Sequence, residues 1–134
     1  MSEPAEVTAA LLRDMPLPFP APDSDKEARG RVLVVGGSAQ VPGAVRLAGE
    51  AALRAGAGKL QMAVPASLAV QLGLLLSEGR VFALAERDGE IEPDAAGTIL
   101  AFVNKCDALL IGPGMIAKAS SAELTHNLLE TADG

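Results

Sequence analysis

The sequence predicts an α/β protein built on a parallel sheet, and three observations carry that prediction. Short apolar runs rich in branched residues recur along the chain: RVLVVG at Arg31–Gly36, KLQMAVP at Lys59–Pro65 and DALLIG at Asp107–Gly112. Segments of helical period lie between them, and strands alternating with helices of about 10–15 residues build βαβ units with strands buried on both faces. Glycine-rich turns follow the first and the last of these runs, where an open parallel sheet places its ligands.

Composition splits the 134 residues into a lead-in, residues 1–30, and an α/β portion, residues 31–134. In the lead-in, AEVTAALLRDM (Ala5–Met15) predicts a short helix with Val7, Leu11 and Leu12 on one side. PLPFPAPDSD (Pro16–Asp25) holds four prolines in ten residues, which predicts an extended connector because proline fixes φ and lacks an amide donor. After the first strand, Ala44, Leu47, Ala48, Ala51, Ala52 and Ala55 form one stripe at helical spacing, expected to lie against the sheet. Arg46, Glu50 and Arg54 share another face, and Glu50 with Arg54 has the better orientation for an ion pair. Pro42 suits the first turn of that helix, and Gly56 and Gly58 suit its stop. A second strand over Lys59–Pro65, a helix over Pro65–Leu76 and a strand over Arg80–Ala85 follow. ERDGEIEP (Glu86–Pro93) predicts a polar loop turning at Asp88-Gly89. Pro93 opens a helix to Asn104, Asp107–Gly112 is a buried strand, and Ser120 with Glu123 predicts a capping box for the last helix.

Charge and composition exclude several functions. A net charge of −6 and a pI near 4.7 oppose a nucleic-acid-binding face, and aromatics at 2% leave few stacking platforms. The lone Cys106 allows no internal disulfide and reads as a small buried hydrophobe. The N-terminus is acidic and proline-rich where a signal peptide is basic and then apolar, and no apolar run approaches the ~20 residues of a bilayer span. The expected setting is soluble and cytoplasmic, with no membrane partner.

Two turns are candidates for chemistry: Gly36-Gly37-Ser38 running on to Pro42-Gly43-Ala44, and Gly112-Pro113-Gly114. Missing side chains let a ligand approach the backbone, and free amides at a helix start attract anionic groups. The first turn is neither G-x-G-x-x-G nor a Walker A loop, since Gly36 and Gly37 are adjacent and no Gly-Lys-Ser/Thr follows. From spacing alone, a ligand-binding turn and a tight structural turn stand equally open.

Three stretches, DKEARGRVLVVGGS, PGAVRLAGEAALRAGAGKLQMAVP and DALLIGPGM, resemble the N-terminal half of the ADP/ATP-dependent NAD(P)H-hydrate dehydratases of the ribokinase-like fold. The likeness runs from Leu11 to about Leu129. It implies a ribokinase-like α/β fold, of which this chain is the N-terminal part. It implies a repair lyase that dehydrates NADHX and NADPHX, hydrated forms of NADH and NADPH, at the expense of ADP or ATP with Mg2+. It further implies that Gly43, Ala44, Gly112 and Gly114 contact the hydrated dinucleotide through the backbone. The expected partners are that small molecule and further copies of the same chain, with no nucleic acid.

The likeness has gaps. The family's His-Lys-Gly before the first strand reads Asp25-Lys26-Glu27, which makes Lys26 a solvated lysine in this reading. Its Pro-Glu after the second helix reads Ser77-Glu78. The late Gly-Thr-Gly-Asp motif, whose aspartate serves ribokinase-like enzymes as catalytic base or proton relay, does not occur in the 134 residues. Asp88, Asp94 and Asp107 lie in no glycine-flanked turn before a helix and cannot replace it, and Asp107 reads as a solvated strand start. His126 is the only histidine and reads as a surface residue, so no metal cluster is expected. The expectation is a chain with no catalytic residue of its own, inactive alone. A small-molecule kinase of the same fold and a non-catalytic binding or assembly module remain as alternatives.

Overall fold

The computed structural model describes residues 5–132 apart from residues 18 and 20. Those two belong to the predicted extended connector and lie outside the described residues. The rest of the connector is not simply extended. It turns at residues 22–23, and the chain turns again just beyond it at 26–29, where the Asp25 carboxylate accepts from the amides of Glu27 and Ala28, both at 2.9 Å. Aspartate makes such turns because its short side chain reaches the backbone two residues on. The lead-in helix α1 is shorter than predicted, Ala9–Asp14, capped by Thr8 and burying nothing; Val7 and Leu12 are exposed.

The α/β portion follows the predicted alternation. Strand β1 (Arg31–Val35), helix α2 (Pro42–Arg54), strand β2 (Lys59–Pro65), helix α3 (Ala66–Leu75) and strand β3 (Gly79–Leu84) come in order. A two-residue-per-arm hairpin, β4 (Glu86–Arg87) and β5 (Glu90–Ile91), leads through a 3-10 turn at Pro93–Ala95 into helix α4 (Ala96–Val103). Strand β6 (Ala108–Ile111) and helix α5 (Ala119–Ala132) complete it. The four long strands form one parallel sheet in the order β3-β2-β1-β6. Helices α2 and α3 cover one face over Val34, Leu60, Met62 and Val64. Helices α4 and α5 cover the other over Leu33, Val35, Ala63 and Leu84.

Three local expectations need correction. The face of α2 on the sheet is Val45, Ala48, Gly49, Ala52 and Leu53, so Ala48 and Ala52 of the predicted stripe lie on it but the helix is rotated away from the rest of the stripe. Ala51 and Ala55 are exposed, as is Leu47 at 66%. The reason is Gly49: a Cβ there would lie 3.0–3.2 Å from Met62 Sδ, Leu60 and Leu76, so the helix comes closest to the sheet at a residue with no side chain. Glu50 pairs with Arg46 at 2.9 Å rather than with Arg54. The predicted capping box also shifts. Helix α5 begins at Ala119, and the third helical residue, Ser121, accepts from the Lys118 amide at 3.1 Å, the backward half of such a box.

The polar loop Glu86–Pro93 is the hairpin. Asp88 and Gly89 both take positive φ, 53° and 77°, the geometry of a type I′ turn that Asp-Gly favours. Gly56, at φ 106°, ends α2 with its amide on Leu53 O and the next amide on Ala52 O, as predicted for a glycine stop.

Candidate functional site

From β1 the chain moves through α2 to β2 and β3, then crosses back past β1 to lay down β6 on its other side. Strand order therefore reverses between β1 and β6. Their carboxyl ends splay their connections to opposite faces and leave a crevice, the usual ligand position in such sheets. Both glycine turns sit there.

The two turns hold each other. The Gly37 amide donates to Pro113 O at 2.7 Å, and the Gly112 amide to Val35 O at 3.0 Å. Gly112-Pro113-Gly114-Met115 closes with Met115 N on Gly112 O at 2.9 Å. Proline in second place and Gly114 at φ 76° in third are what a type II turn requires. A Cβ on Gly36 would run into Pro113 O, and one on Gly114 would run into Val41 O and approach the Ala44 Cβ to 3.3 Å. Gly36 and Gly114 are thus glycines because the two loops interlock.

Gly43 and Gly112 differ. A Cβ on either meets nothing within 4 Å. Gly112 needs its glycine for a φ of 119°. Gly43 has an ordinary helical backbone, so neither conformation nor packing within the described residues excludes a side chain there. Glycine inside a helix costs about 1 kcal/mol relative to alanine. Of the four predicted contact residues, Ala44 and Gly114 lie against one another, with Gly43 beside Ala44 on the open side. Gly43 lines a cavity of about 180 Å³ with Pro42, Arg46, Leu68, Gln71, Leu72 and Leu75. Gly112 opens instead onto the groove between β6 and α5, with Met115, Ser121 and Thr125 among its walls.

Helix α2 starts at this crevice with Pro42 in its first turn and no side chain capping it. The amides of Gly43 and Ala44 belong to that first turn and have no intrahelical partners. Helix α3, in contrast, is closed: Glu86 Oε2 accepts from both the amide and the hydroxyl of Ser67 at 2.9 Å.

Three contributions go beyond the sequence reading, the first from a residue named there only as part of the turn. Ser38 is fully buried and its Oγ accepts from the Val41 amide at 3.1 Å, which fixes the approach to α2. Its place after two glycines and four residues before a proline was the available signal. Gly89, at the hairpin tip, accepts the Ala39 amide at 2.9 Å and packs on Ala39, so the hairpin braces the first glycine turn. Glu90, buried in the second arm of that hairpin, pairs with Lys118 at 3.2 Å. No local pattern announces either contact.

The remaining candidates lie elsewhere. Asp107 is at the opposite end of the sheet, where Oδ2 accepts from the Arg31 amide at 2.7 Å; it is exposed but ties β6 to β1 rather than standing free. Lys26 is exposed at that same end. His126 is exposed on α5 and faces Glu130 at 3.2 Å. Asp88 and Asp94 flank a separate cavity of about 450 Å³ between the hairpin and α5. Cys106 is half-buried with Sγ on Val103 O, and burial, then the neighbouring Asp107, push its thiol pKa up, which disfavours a thiolate nucleophile. Among the described residues, no three of His, Cys, Asp and Glu are grouped to hold a metal ion. No described helix is long and apolar enough to cross a membrane.

The sequence profile described as NAD(P)H-hydrate dehydratase matches residues 32–134. The chain belongs to the NAD(P)H-hydrate dehydratase family. It is 54% identical over 127 residues to an ADP-dependent (S)-NAD(P)H-hydrate dehydratase of Xanthomonas campestris, covering 94% of this chain and 43% of the relative. It is 37% identical to a bifunctional NAD(P)H-hydrate repair enzyme of Moorella thermoacetica, covering 92% of this chain and 23% of that protein. Among solved structures, a ribokinase-like superfamily protein of Enterococcus faecalis superposes with a TM-score of 0.68 at 25% identity, over 84% of this chain and 36% of the other. The ADP/ATP-dependent NAD(P)H-hydrate dehydratase of Bacillus subtilis, co-crystallised with ATP and Mg2+, gives 0.63 at 28% identity, over 85% and 38%. The fold of this dehydratase-family chain is ribokinase-like, and the chain spans less than half the length of these relatives.

Proposed function

We propose that the chain is the substrate-holding part of an ADP- or ATP-dependent dehydratase that returns NADHX and NADPHX to NADH and NADPH. The observation that carries the reading is the meeting of the two glycine turns, Ala44 against Gly114, at the switch point between β1 and β6. It is supported by kinship with dehydratases of that activity. The free first-turn amides of Gly43 and Ala44 suit hydrogen bonding to pyrophosphate or hydroxyl oxygens of a dinucleotide, helped by the positive end of α2. The absence of a side chain at Gly43 lets the ligand reach those amides. Gly112, open and exposed, admits ligand toward the β6 side. These residues hold and orient; none moves a proton.

The phosphate donor supplies a leaving group at the ring hydroxyl, and stabilising that transfer takes donors aimed at the moving phosphoryl oxygens. The described residues offer neither an aspartate at the crevice nor a carboxylate cluster for Mg2+, so no step through nucleotide or metal is assigned to them. The 134-residue polypeptide with NADHX and ADP or ATP is expected to give no rise in absorbance from NADH. The same polypeptide joined to the remaining length of the Xanthomonas relative is expected to give that rise. Turnover by the 134 residues alone would place a catalytic group inside them and overturn this division of labour. A soluble fusion without activity would overturn the assigned reaction. The cytoplasmic setting and self-association expected from the sequence stand as part of the same proposal.

A further inference from the structure

At the end of the sheet opposite the glycine turns, a hollow of about 400 Å³ opens beneath the amino ends of β1, β2 and β3. Five of the chain's eleven lysines and arginines line it: Lys26, Arg31, Lys59, Arg80 and Lys105. A single carboxylate, Glu78, shares the lining. This concentration stands out in a chain of net charge −6. Glu27, just outside, pairs with Lys59 and with Arg31. Lys26, Arg80 and Lys105 have no ion pair among the described residues.

A second observation concerns the residues beneath the hollow. Among the described residues, two buried side-chain polar atoms lack any hydrogen-bond partner, Arg31 Nε and Gln61 Oε1, and both residues line this hollow. Arg31 is otherwise firmly held, with Nη1 donating to Lys105 O at 2.6 Å, so its idle Nε does not reflect a loose side chain. Buried donors and acceptors are rarely left unpaired. Both atoms are covered by protein, so an anion bearing several oxygens would meet instead the exposed quarter of the Arg31 side chain together with the unpaired cations around it.

The structure assigns this hollow as a binding site for a small phosphate-bearing anion, separate from the dinucleotide crevice. Arg31 and Gln61 form its floor, and Arg80, Lys105 and Lys26 supply charge at the mouth. Arginine and lysine are the usual recognisers of phosphate. The competing explanation is that the cations answer the partial negative charge of the helix carboxyl ends gathered at this side of the sheet, with water filling the floor. That arrangement would show no saturable anion binding.

The test is titration of the 15N-labelled 134-residue chain at fixed ionic strength with two probes, inorganic phosphate and ribose 5-phosphate. Saturable shifts confined to amides around Gly58, Lys59, Gln61 and Glu78 support the site, and the tighter probe names free phosphate or a phosphorylated metabolite as its source. The double variant Arg80→Gln/Lys105→Gln leaves Lys105 O in place to hold Arg31 and is expected to bind about tenfold or more weakly with an otherwise unchanged spectrum. The milder variant Lys26→Gln, on an exposed turn, is expected to weaken binding in the same direction. Absence of saturation with both probes, shifts centred on Gly43 and Ala44 instead, or undiminished binding by both variants would overturn the assignment.

Discussion

Gly36 and Gly43 lie seven residues apart, one just after β1 and the other in the first turn of α2, and they are glycines for different reasons. Gly36, with Gly114 across the crevice, has no side chain because backbone of the opposing turn occupies the place a Cβ would take. Gly43 has open space, ordinary helical dihedrals and an unpaired first-turn amide. One kind of glycine builds the crevice; the other leaves it open. A glycine-rich motif read as a unit conflates the two, and substitution separates them.

The largest effect is expected where backbone blocks the new atom. Gly36→Ala forces the interlocked turns apart and should destabilise the fold by about 3 kcal/mol or prevent folding, read from the urea midpoint. Gly114→Ala should behave alike, because its φ and its contact with Val41 O both oppose a side chain. Wild-type stability in both would mean that the turns do not interlock.

Next comes the contact of α2 with the sheet. Gly49→Leu should overpack Met62, Leu60 and Leu76 by roughly 1–3 kcal/mol, while Ala51→Leu, on the exposed face, should stay within about 0.5 kcal/mol of the parent. Equal loss in both would place Ala51 against the sheet as well and contradict this rotation of α2.

That stripe shows where the sequence was legible and where it was not. Strand positions were readable, because RVLVV, KLQMAVP and ALLI are apolar runs too short for helices and flanked by glycine; the burial expected of the last run was not borne out, since β6 lies at the sheet edge with Ala108 and Leu110 exposed. The rotation of α2 was not, because the alanine stripe with Leu47 on one flank and Val45 and Leu53 on the other makes more than half of the helix apolar, and the residue that decides it, Gly49, carries no hydrophobic signal. Asp88-Gly89 announced a turn but not that its tip would brace Ala39, a contact between residues 50 apart. At the site, the turns were visible as glycines, but only the packing distinguishes Gly36 from Gly43. The basic hollow was invisible in a chain read as acidic, since its five cations are spread from residue 26 to residue 105.

A smaller effect is expected at Cys106. Burial and the adjacent Asp107 raise its pKa in the fold, so the native state holds the thiol proton more tightly than the unfolded chain. Its contribution to stability is present below the unfolded thiol pKa and fades as pH rises through the native one. Alkylation by iodoacetamide should run more slowly than for a free cysteine at pH 8 and rise only at more alkaline pH. Labelling at the free-thiol rate in the folded state would contradict this.

Gly43 is the most direct point of test, through binding of NADPHX to the 134-residue chain measured by calorimetry beside Gly43→Val. The parent should bind saturably. The variant should lose about tenfold or more in affinity while its melting temperature stays within a few degrees of the parent, since the new side chain meets open space in the protein and only a ligand can clash with it. Unchanged affinity in a folded variant would contradict the claim that the open glycine at the start of α2 is where the hydrated dinucleotide lies.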